Sequence, residues 1–222
     1  MSSTTTTSTS SRTARRRAVA LTIAAAAVCS LIVAPRFSPA GATKPEDMIQ
    51  TTAARVLEVL RNDALSTDEK ASELETFLDN CCDFPTTSKL VLAQNWKRLS
   101  SDEQNEFTRL FKQYLIVTYR DNINSYGGES VEVTGGREEK FGDYTVFTRI
   151  TGGNVESVIV NYRLRQGDGD EWLIIDVIAE GISLISNLRS QFKEVISARG
   201  TAGLMDSMRK KVEDLDKGLQ SS

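Results

Sequence analysis

Apolar side chains recur at helical spacing through the first half of this chain. The longest such run covers residues 107–118, where the spacing of 0, 3, 4, 7, 8 and 11 places one apolar face on a single helix: Phe107, Leu110, Phe111, Tyr114, Leu115 and Thr118. Ser100 or Ser101 precedes this run as an N-cap, and Gly127-Gly128 is predicted to end the helix. The pattern predicts the strongest helix of the chain here.

Three further helices are predicted upstream. The first opens with the capping-box spacing of Thr43 and Glu46, and the second with the same spacing of Ser66 and Glu69. A third helix is predicted over residues 85–96. The chain therefore begins with a helical layer.

The spacing of the apolar residues changes from a period of 3.6 residues to a period of 2 after Gly127-Gly128. Apolar and polar residues alternate in residues 131–133, 144–150 and 158–164, which predicts three strands with one wet face, as in an antiparallel meander. Residues 172–179 are apolar on both faces except at Asp176, so we expect a fourth, more enclosed strand. Two closing helices are predicted, over residues 184–196 and 204–215.

Helices, then strands, then helices are typical of an α+β domain. We predict a four-stranded antiparallel curved sheet, packed on one face by about six helices. No internal repeat or linker divides the chain after residue 42, so residues 43–222 are expected to form a single domain. The wedge between sheet and helices is either filled by side chains or left open, and the spacing alone does not decide which.

The first 42 residues read as a cleaved signal peptide. Arg12 and residues 15–17 form a basic region, residues 18–34 form an uncharged apolar run, and Ala40-Gly41-Ala42 is a small-residue cleavage site. The alanine-rich run is short for a transmembrane anchor, which needs about 20 strongly apolar residues. The arginine cluster leaves both general secretion and twin-arginine export open.

Removal of this segment changes the charge of the chain. Five of the 27 basic residues and none of the 30 acidic residues lie in the first 42 positions, which leaves 22 basic and 30 acidic residues, a net charge of −8. Such an acidic protein has no general attraction to nucleic acid or to anionic membranes. We therefore expect no nucleic-acid partner and no stable membrane insertion.

The composition also limits the chemistry. The chain contains no histidine, which excludes Ser-His-Asp and Cys-His catalysis and the usual zinc ligands. Cys81 and Cys82 are adjacent, so a bond between them would be strained, and no C-x-x-C motif is present. No glycine-rich phosphate loop or metal-ligand cluster appears, so no cofactor and no metal are expected.

Three segments resemble one protein family. They are NWK followed by a capped helix ending in TY within residues 95–119, NYRLR at residues 161–165, and EWLIIDVIAEGISLISNLRSQF at residues 171–192. The chain resembles the MlaC family of periplasmic phospholipid-binding proteins, also described as toluene-tolerance or ABC-transporter auxiliary components. Leu188 stands where relatives usually carry tyrosine.

The resemblance implies a function. It implies a periplasmic lipid carrier that holds phospholipid acyl chains in an apolar pocket between sheet and helices. The implied partners are an inner-membrane ABC transporter with an MCE-domain protein and an outer-membrane lipoprotein-porin complex. Shuttling between them would maintain the lipid asymmetry of the outer membrane.

Candidate lipid contacts follow from the predicted inward faces of strands and helices. They are Phe111, Tyr114, Val146, Ile150, Val158, Val160, Tyr162, Leu164, Leu184, Leu188 and Phe192. Three polar residues are candidates for the pocket mouth or for a structural role: Asp176, Asn187 and Arg189. A buried charge needs a partner, so we expect Asp176 to pair with Arg189.

Three alternatives stay open. The cargo of the carrier is phospholipid or another lipid such as a hopanoid. The second alternative is a small enzyme with Asp176 as a base beside Tyr162 or Tyr114, although no second carboxylate lies in a strand. The last alternative is an adaptor that docks on a transporter without binding a ligand.

Overall fold

The computed structural model of the protein describes residues 44–120, 123–153, 155–169 and 171–219. The proposed signal peptide, residues 1–42, lies outside the described residues. The elements in chain order are α1 (Pro45–Arg61), α2 (Thr67–Cys81), α3 (Phe84–Leu92), α4 (Ser101–Arg120), β1 (Glu129–Glu138), β2 (Tyr144–Gly152), β3 (Val155–Gln166), β4 (Trp172–Ala179), β5 (Ile182–Ser183) and α5 (Leu184–Leu219). Short 3₁₀ segments lie at Ala93–Arg98, Ile123–Ser125 and Lys140–Gly142.

The predicted α+β class with an antiparallel sheet is confirmed. The strands follow chain order, β1-β2-β3-β4-β5, and every neighbouring pair is antiparallel. The sheet has five strands rather than the predicted four because the two-residue β5 pairs with the end of β4. Five α-helices are described where about six were expected, since α5 joins both closing helices across a kink at Gly200, whose φ is 68°.

Two apolar clusters hold the layers together. The first joins the inner face of β2 and β3 to α1 and α2, and on β3 the alternation predicted from the sequence is buried: Val158, Val160, Tyr162 and Leu164. The second joins α3, α4 and α5 around an aromatic centre. There, Phe107 and Phe111 stack with ring centroids 5.8 Å apart, and Phe192 meets both rings edge-on.

Helix ends follow the sequence signals in most places. Ser66 and Glu69 form the predicted capping box, and Ser100 accepts a hydrogen bond from the amide of Glu103. The first predicted helix is present as α1, but its N-cap is Lys44 without a side-chain bond and Pro45 begins the helix; Thr43 of the predicted capping box lies outside the described residues. Helix α4 is described to Arg120, and the chain at Ile123–Ser125 is a 3₁₀ segment, so the helix does not extend to Gly127-Gly128. Within the described ranges, no helix has both the length and the apolar character needed to cross a bilayer.

A bulge in β4 decides where its side chains point. Leu164 of β3 pairs with Ile174, but the next residue, Arg163, pairs with Asp176, so β4 carries one extra residue, Ile175. Without the bulge, Asp176 would share the face of Ile174, because side chains alternate along a strand. The extra residue instead places Asp176 opposite Arg163.

Asp176 joins the sheet to α5. Its two carboxylate oxygens accept hydrogen bonds from the hydroxyl of Ser183 at 2.6 Å and from the backbone amide of Ile185 at 3.1 Å. Ser183 in turn accepts a bond from the amide of Ser186, as an N-cap does. The carboxylate is only 5% exposed, and burial raises its pKa above the ordinary value of 3.8 even though these bonds and Arg163 oppose the shift.

The predicted pairing of Asp176 with Arg189 is wrong. Arg189 is exposed on α5 and its Nε donates to the carbonyl oxygen of Leu90 at 2.8 Å. The cation that approaches Asp176 is Arg163, whose Nη2 lies 3.7 Å from the carboxylate. The bulge at Ile175 places Asp176 opposite Arg163 on β3, while the side chain of Arg189 reaches the end of α3 instead.

We predict that Asp176→Ala lowers the free energy of unfolding by about 1–3 kcal/mol, because the buried amide of Ile185 loses its acceptor. Asp176→Asn should cost less than half as much, since the amide oxygen still accepts that bond. Urea unfolding followed by circular dichroism measures both values. Equal losses in the two variants would contradict the capping role of Asp176.

The raised pKa of Asp176 predicts a pH dependence. The folded protein holds this proton to higher pH than the unfolded chain does. The stabilisation of the fold by the protonated carboxyl group is therefore present below pH 3.8 and is lost as the pH rises through the folded pKa. The stability of the wild type relative to Asp176→Asn should therefore fall with rising pH in this window and then level off. Unfolding curves from pH 3.5 to 7 test this, and a difference that rises with pH would contradict it.

Candidate functional site

An apolar cavity of about 100 Å³ lies where α2 and α4 pass over β4. The two helices run antiparallel, since Asp68 near the start of α2 pairs with Arg120 at the end of α4, and Asp79 pairs with Lys112. The cavity also borders the start of α5. It therefore lies at the junction of the two apolar clusters.

Each wall comes from a different element. The floor is β4, and the sides are α2, α4 and the first turn of α5. The principal apolar lining residues are Ala71, Leu74, Leu78, Phe84, Leu115, Ile116, Ile123, Ile174, Ile175, Val177, Leu184 and Ile185. The walls are thus almost entirely aliphatic, which suits hydrocarbon rather than a polar substrate.

Helical spacing explains the α2 wall. Ala71, Leu74 and Leu78 fall at positions i, i+3 and i+7 and share one face of the helix. The end of α2 is fixed to β4, the floor of the cavity. The backbone of Cys82 forms a parallel β-bridge with Ile174, and the amide of Asp83 donates to the Ile174 carbonyl at 3.0 Å. The sulfur atoms of Cys81 and Cys82 lie 3.8 Å apart and are not joined by a disulfide bond.

Ion pairs cross the seam between α2 and α4 above the cavity. Lys112 lies 2.7 Å from Asp79 and 3.4 Å from Glu75. Arg120 pairs with Asp68 at the other end of the seam. All three carboxylates are at least 45% exposed, so these pairs stabilise the closed seam weakly, by about 0–1 kcal/mol each.

A few polar groups reach the cavity itself. Tyr119 and Arg120 line it from α4, and burial raises the pKa of Tyr119 to about 12, so this hydroxyl is neutral at physiological pH. The Nε of Arg120 is buried and has no hydrogen-bond partner among the described residues. Asp176 lines the cavity too, but both of its oxygens are occupied by the α5 cap. The described residues contain no group of three or more acidic or thiol side chains placed to hold a metal ion.

The cavity lies elsewhere than the sequence indicated. Of the eleven candidate lipid contacts, only Leu184 lines it. The six on β2 and β3 are packed in the sheet cluster and are at most 3% exposed: Val146, Ile150, Val158, Val160, Tyr162 and Leu164. Four others belong to the aromatic cluster: Phe111, Tyr114, Leu188 and Phe192.

The polar candidates also separate. Asp176 reaches the cavity, whereas Asn187 and Arg189 are exposed on α5 and do not line it. The cavity is thus lined by β4 rather than by β3, and the role of the eleven candidates in lipid binding stays a prediction. The apolar spacing of α2 was visible in the sequence, but nothing in the spacing distinguished a cavity wall from a filled core.

Comparison with known proteins agrees with this fold. Residues 50–210 match the family model described as MlaC protein. The toluene tolerance protein Ttg2D of Pseudomonas putida is 25% identical over 164 residues, which cover 72% of this chain and 76% of that protein.

A solved structure shares the architecture. It is the phospholipid-binding protein of Ralstonia solanacearum in complex with a phospholipid, which superposes with a TM-score of 0.69 at 22% identity over 78% of this chain and 99% of that chain. At this identity the likeness establishes the fold. Because the family model spans well over half of the sequence, the chain belongs to the MlaC family.

Proposed function

We propose that this protein is a lipid carrier which binds phospholipid acyl chains in the cavity over β4. The observation that carries the proposal is the cavity itself, whose exposed lining is almost entirely apolar. Family membership supports it, as does the phospholipid bound by the Ralstonia protein of the same fold. In this function the protein transfers its ligand unchanged.

The physical need for a carrier is large. Each methylene group removed from water is worth about 0.8 kcal/mol, so a sixteen-carbon chain crossing an aqueous compartment uncovered would cost roughly 12 kcal/mol. A cavity lined by Leu74, Leu78, Ile116 and Ile174 removes most of this barrier. The protein thus shields the chain during transfer.

The cavity must widen to admit an acyl chain. Its volume of about 100 Å³ is below the ~300 Å³ at which common ligand sites begin. The seam between α2 and α4 is the place where this costs least, because exposed ion pairs cross it and its apolar residues are only half-buried: Leu78, Leu115 and Ile116. We infer that α2 moves away from α4 when lipid enters.

The surroundings of the carrier follow from the sequence and the family. Cleavage after residue 42 would deliver residues 43–222 to the periplasm as a single domain. There it would shuttle lipid between an outer-membrane lipoprotein-porin complex and an inner-membrane ABC transporter with an MCE-domain protein, maintaining outer-membrane asymmetry. The net charge of −8 opposes non-specific adsorption to anionic membranes, so docking on these partners would direct the exchange.

The enzyme alternative has less support. Asp176 is engaged by Ser183 and Ile185, and the buried hydroxyl of Tyr162 has no hydrogen-bond partner among the described residues. Tyr114 packs edge-on against Phe192 within the aromatic cluster. Each carboxylate oxygen of Asp176 already accepts a bond that holds α5, and the residue is only 5% exposed, so little of it is open to a substrate proton. A hopanoid cargo would use the same aliphatic walls and is separated from phospholipid by the experiment below.

We predict that residues 43–222, expressed with export to the periplasm, retain phospholipid through purification in detergent-free buffer. Native mass spectrometry should show a mass increase equal to one or more diacyl lipids, and organic extraction should identify the lipid. A hopanoid in the extract would identify a hopanoid, rather than a phospholipid, as the cargo. Folded protein without stoichiometric lipid of either kind would contradict the carrier function.

We also predict that filling the cavity displaces lipid. Ala71→Leu adds three carbons to a wall residue of α2, so bound lipid should fall severalfold while the melting temperature changes little. The matched control is Ala53→Leu, which adds the same volume at a buried core position of α1 that does not line the cavity. The control should lose about 1–3 kcal/mol of stability through overpacking and keep its lipid when folded.

The two readouts of this pair are thermal melting and lipid mass spectrometry. If Ala71→Leu loses stability as Ala53→Leu does and still carries full lipid, the acyl chain lies elsewhere than over β4.

A further inference from the structure

A second depression lies on the other side of the wall that closes the cavity. This groove, of about 530 Å³, is bounded by the end of α2, the start of α3, the 3₁₀ segment Ala93–Arg98 and the first half of α4. Cys82 and Phe84 line both the groove and the apolar cavity. The two spaces therefore meet at one thin wall formed by the α2–α3 connection.

The groove differs from the cavity in charge. Three cations line it, Lys89, Arg109 and Lys112, against a single acid, Asp79. This excess is opposite in sign to the chain as a whole, which carries a net charge of −3. An electropositive groove in an acidic protein attracts anions locally where the rest of the surface repels them.

Two of these cations lack a carboxylate partner in the described part of the chain. Arg109 donates from Nη1 to the neutral amide oxygen of Gln113 at 3.0 Å, and it forms no ion pair with a described residue. Lys89 is exposed at the edge of the groove and forms no ion pair with a described residue. Lys112 alone is neutralised, by Asp79 and Glu75. Two charged donors are thus available to a ligand.

Neutral groups complete the groove. The side chains of Asn105 and Thr108 offer hydrogen-bonding groups from α4, and Trp96 supplies an aromatic surface beside the cations. Guanidinium and ammonium groups with nearby neutral donors are the usual partners of phosphate oxygens, which are strong acceptors. The arrangement matches an anionic phosphate better than a carboxylate-rich or a cationic ligand.

We propose that this groove binds the phosphate of a lipid headgroup whose acyl chain occupies the apolar cavity. The inference rests on the proposed carrier function and assigns Lys89 and Arg109 as headgroup contacts. Cys82 and Phe84 form the ridge over which the ligand passes from polar to apolar surroundings. Lys112, at the boundary, exchanges its carboxylate partners for phosphate as the seam between α2 and α4 opens.

The continuity of the two spaces favours a lipid over other anions. A free phosphate ester would occupy the groove without needing the neighbouring cavity, and an acidic protein surface would need neither Cys82 nor Phe84. An amphiphile uses both spaces at once. Its phosphate also supplies the selectivity that aliphatic walls lack.

The test compares two lipids with identical acyl chains, phosphatidylglycerol and diacylglycerol, which differ by the phosphate headgroup. The protein is incubated with mixed vesicles of both at low ionic strength, and the loaded lipid is read by native mass spectrometry. The variant Lys89→Glu with Arg109→Glu should lower phosphatidylglycerol loading by about fivefold or more, as expected for charge pairs worth about 1 kcal/mol in total. Diacylglycerol loading should not fall, because the two lipids compete for one cavity. The preference of the wild type should weaken with salt, because screening shortens the range of charge interactions.

The control carries the same change of charge elsewhere. Lys140→Glu with Arg149→Glu reverses one lysine and one arginine at exposed positions that line neither space, and it should load both lipids as the wild type does. An equal loss of phosphatidylglycerol in this control would reduce the effect to net charge and overturn the assignment. A parallel loss of both lipids in the groove variant would overturn it as well, since that indicates a packing defect.

The remaining outcomes separate the sources of the phosphate and the two proposals. If glycerophosphoglycerol, which has no acyl chains, displaces bound lipid from the groove at equal concentration, the groove is a site for a free phosphate ester. Unchanged headgroup preference in the groove variant would also overturn the inference. If the wild type loads both lipids equally, the headgroup site fails while the carrier function stands, and if it loads neither lipid, the carrier function itself fails.

Discussion

The joint between β4 and α5 depends on one buried carboxylate. Asp176 of β4 accepts hydrogen bonds from Ser183 and Ile185. These bonds hold the first turn of α5 against β4. The intervening turn is tight, with positive φ at Glu180 and Gly181, and Glu180 is held there by two bonds to the backbone of Ile159. A non-glycine residue in this region costs about 1–3 kcal/mol, which these bonds offset. The position of α5, and with it the aromatic cluster around Phe192, follows from this joint.

Side chains pack closely within the two apolar clusters and leave a cavity where the clusters meet. The sheet cluster around Tyr162 and the aromatic cluster around Phe111 are closely filled, and both residues are fully buried. Val177 of β4 packs against both, and the cavity lies beside it. The proposed opening needs a place where little apolar contact is lost, and the α2–α4 seam meets that need because exposed ion pairs contribute little. The closely packed clusters on either side would keep such an opening local.

The sequence predicted those features that depend on local periodicity and failed on those that depend on a single residue. The alternation of Val158 to Leu164 and the capping box at Ser66 follow from spacing alone, and both are confirmed. The bulge at Ile175 has no such signal, because an isoleucine fits either face of a strand. The bulge sets Asp176 opposite Arg163, a neighbour that the sequence pattern did not reveal. The cavity was missed for a related reason, since Leu74 and Leu78 have the same spacing whether the space beside them is filled or empty.

The proposed function requires that lipid be held without being trapped. A bilayer shields acyl chains as completely as the cavity does, so the transfer of a chain from membrane to protein yields little net hydrophobic free energy. Opening the seam and ordering the chain then oppose uptake, and a passive carrier with aliphatic walls alone would remain mostly empty beside a membrane. Contacts that the bilayer does not offer must shift this balance, and the candidates on this protein are charged: Lys89 and Arg109 in the groove, and the docking surfaces of the membrane complexes. Uptake and release would then be governed by electrostatics at the rim of the cavity, while the apolar interior serves only to exclude water during transit.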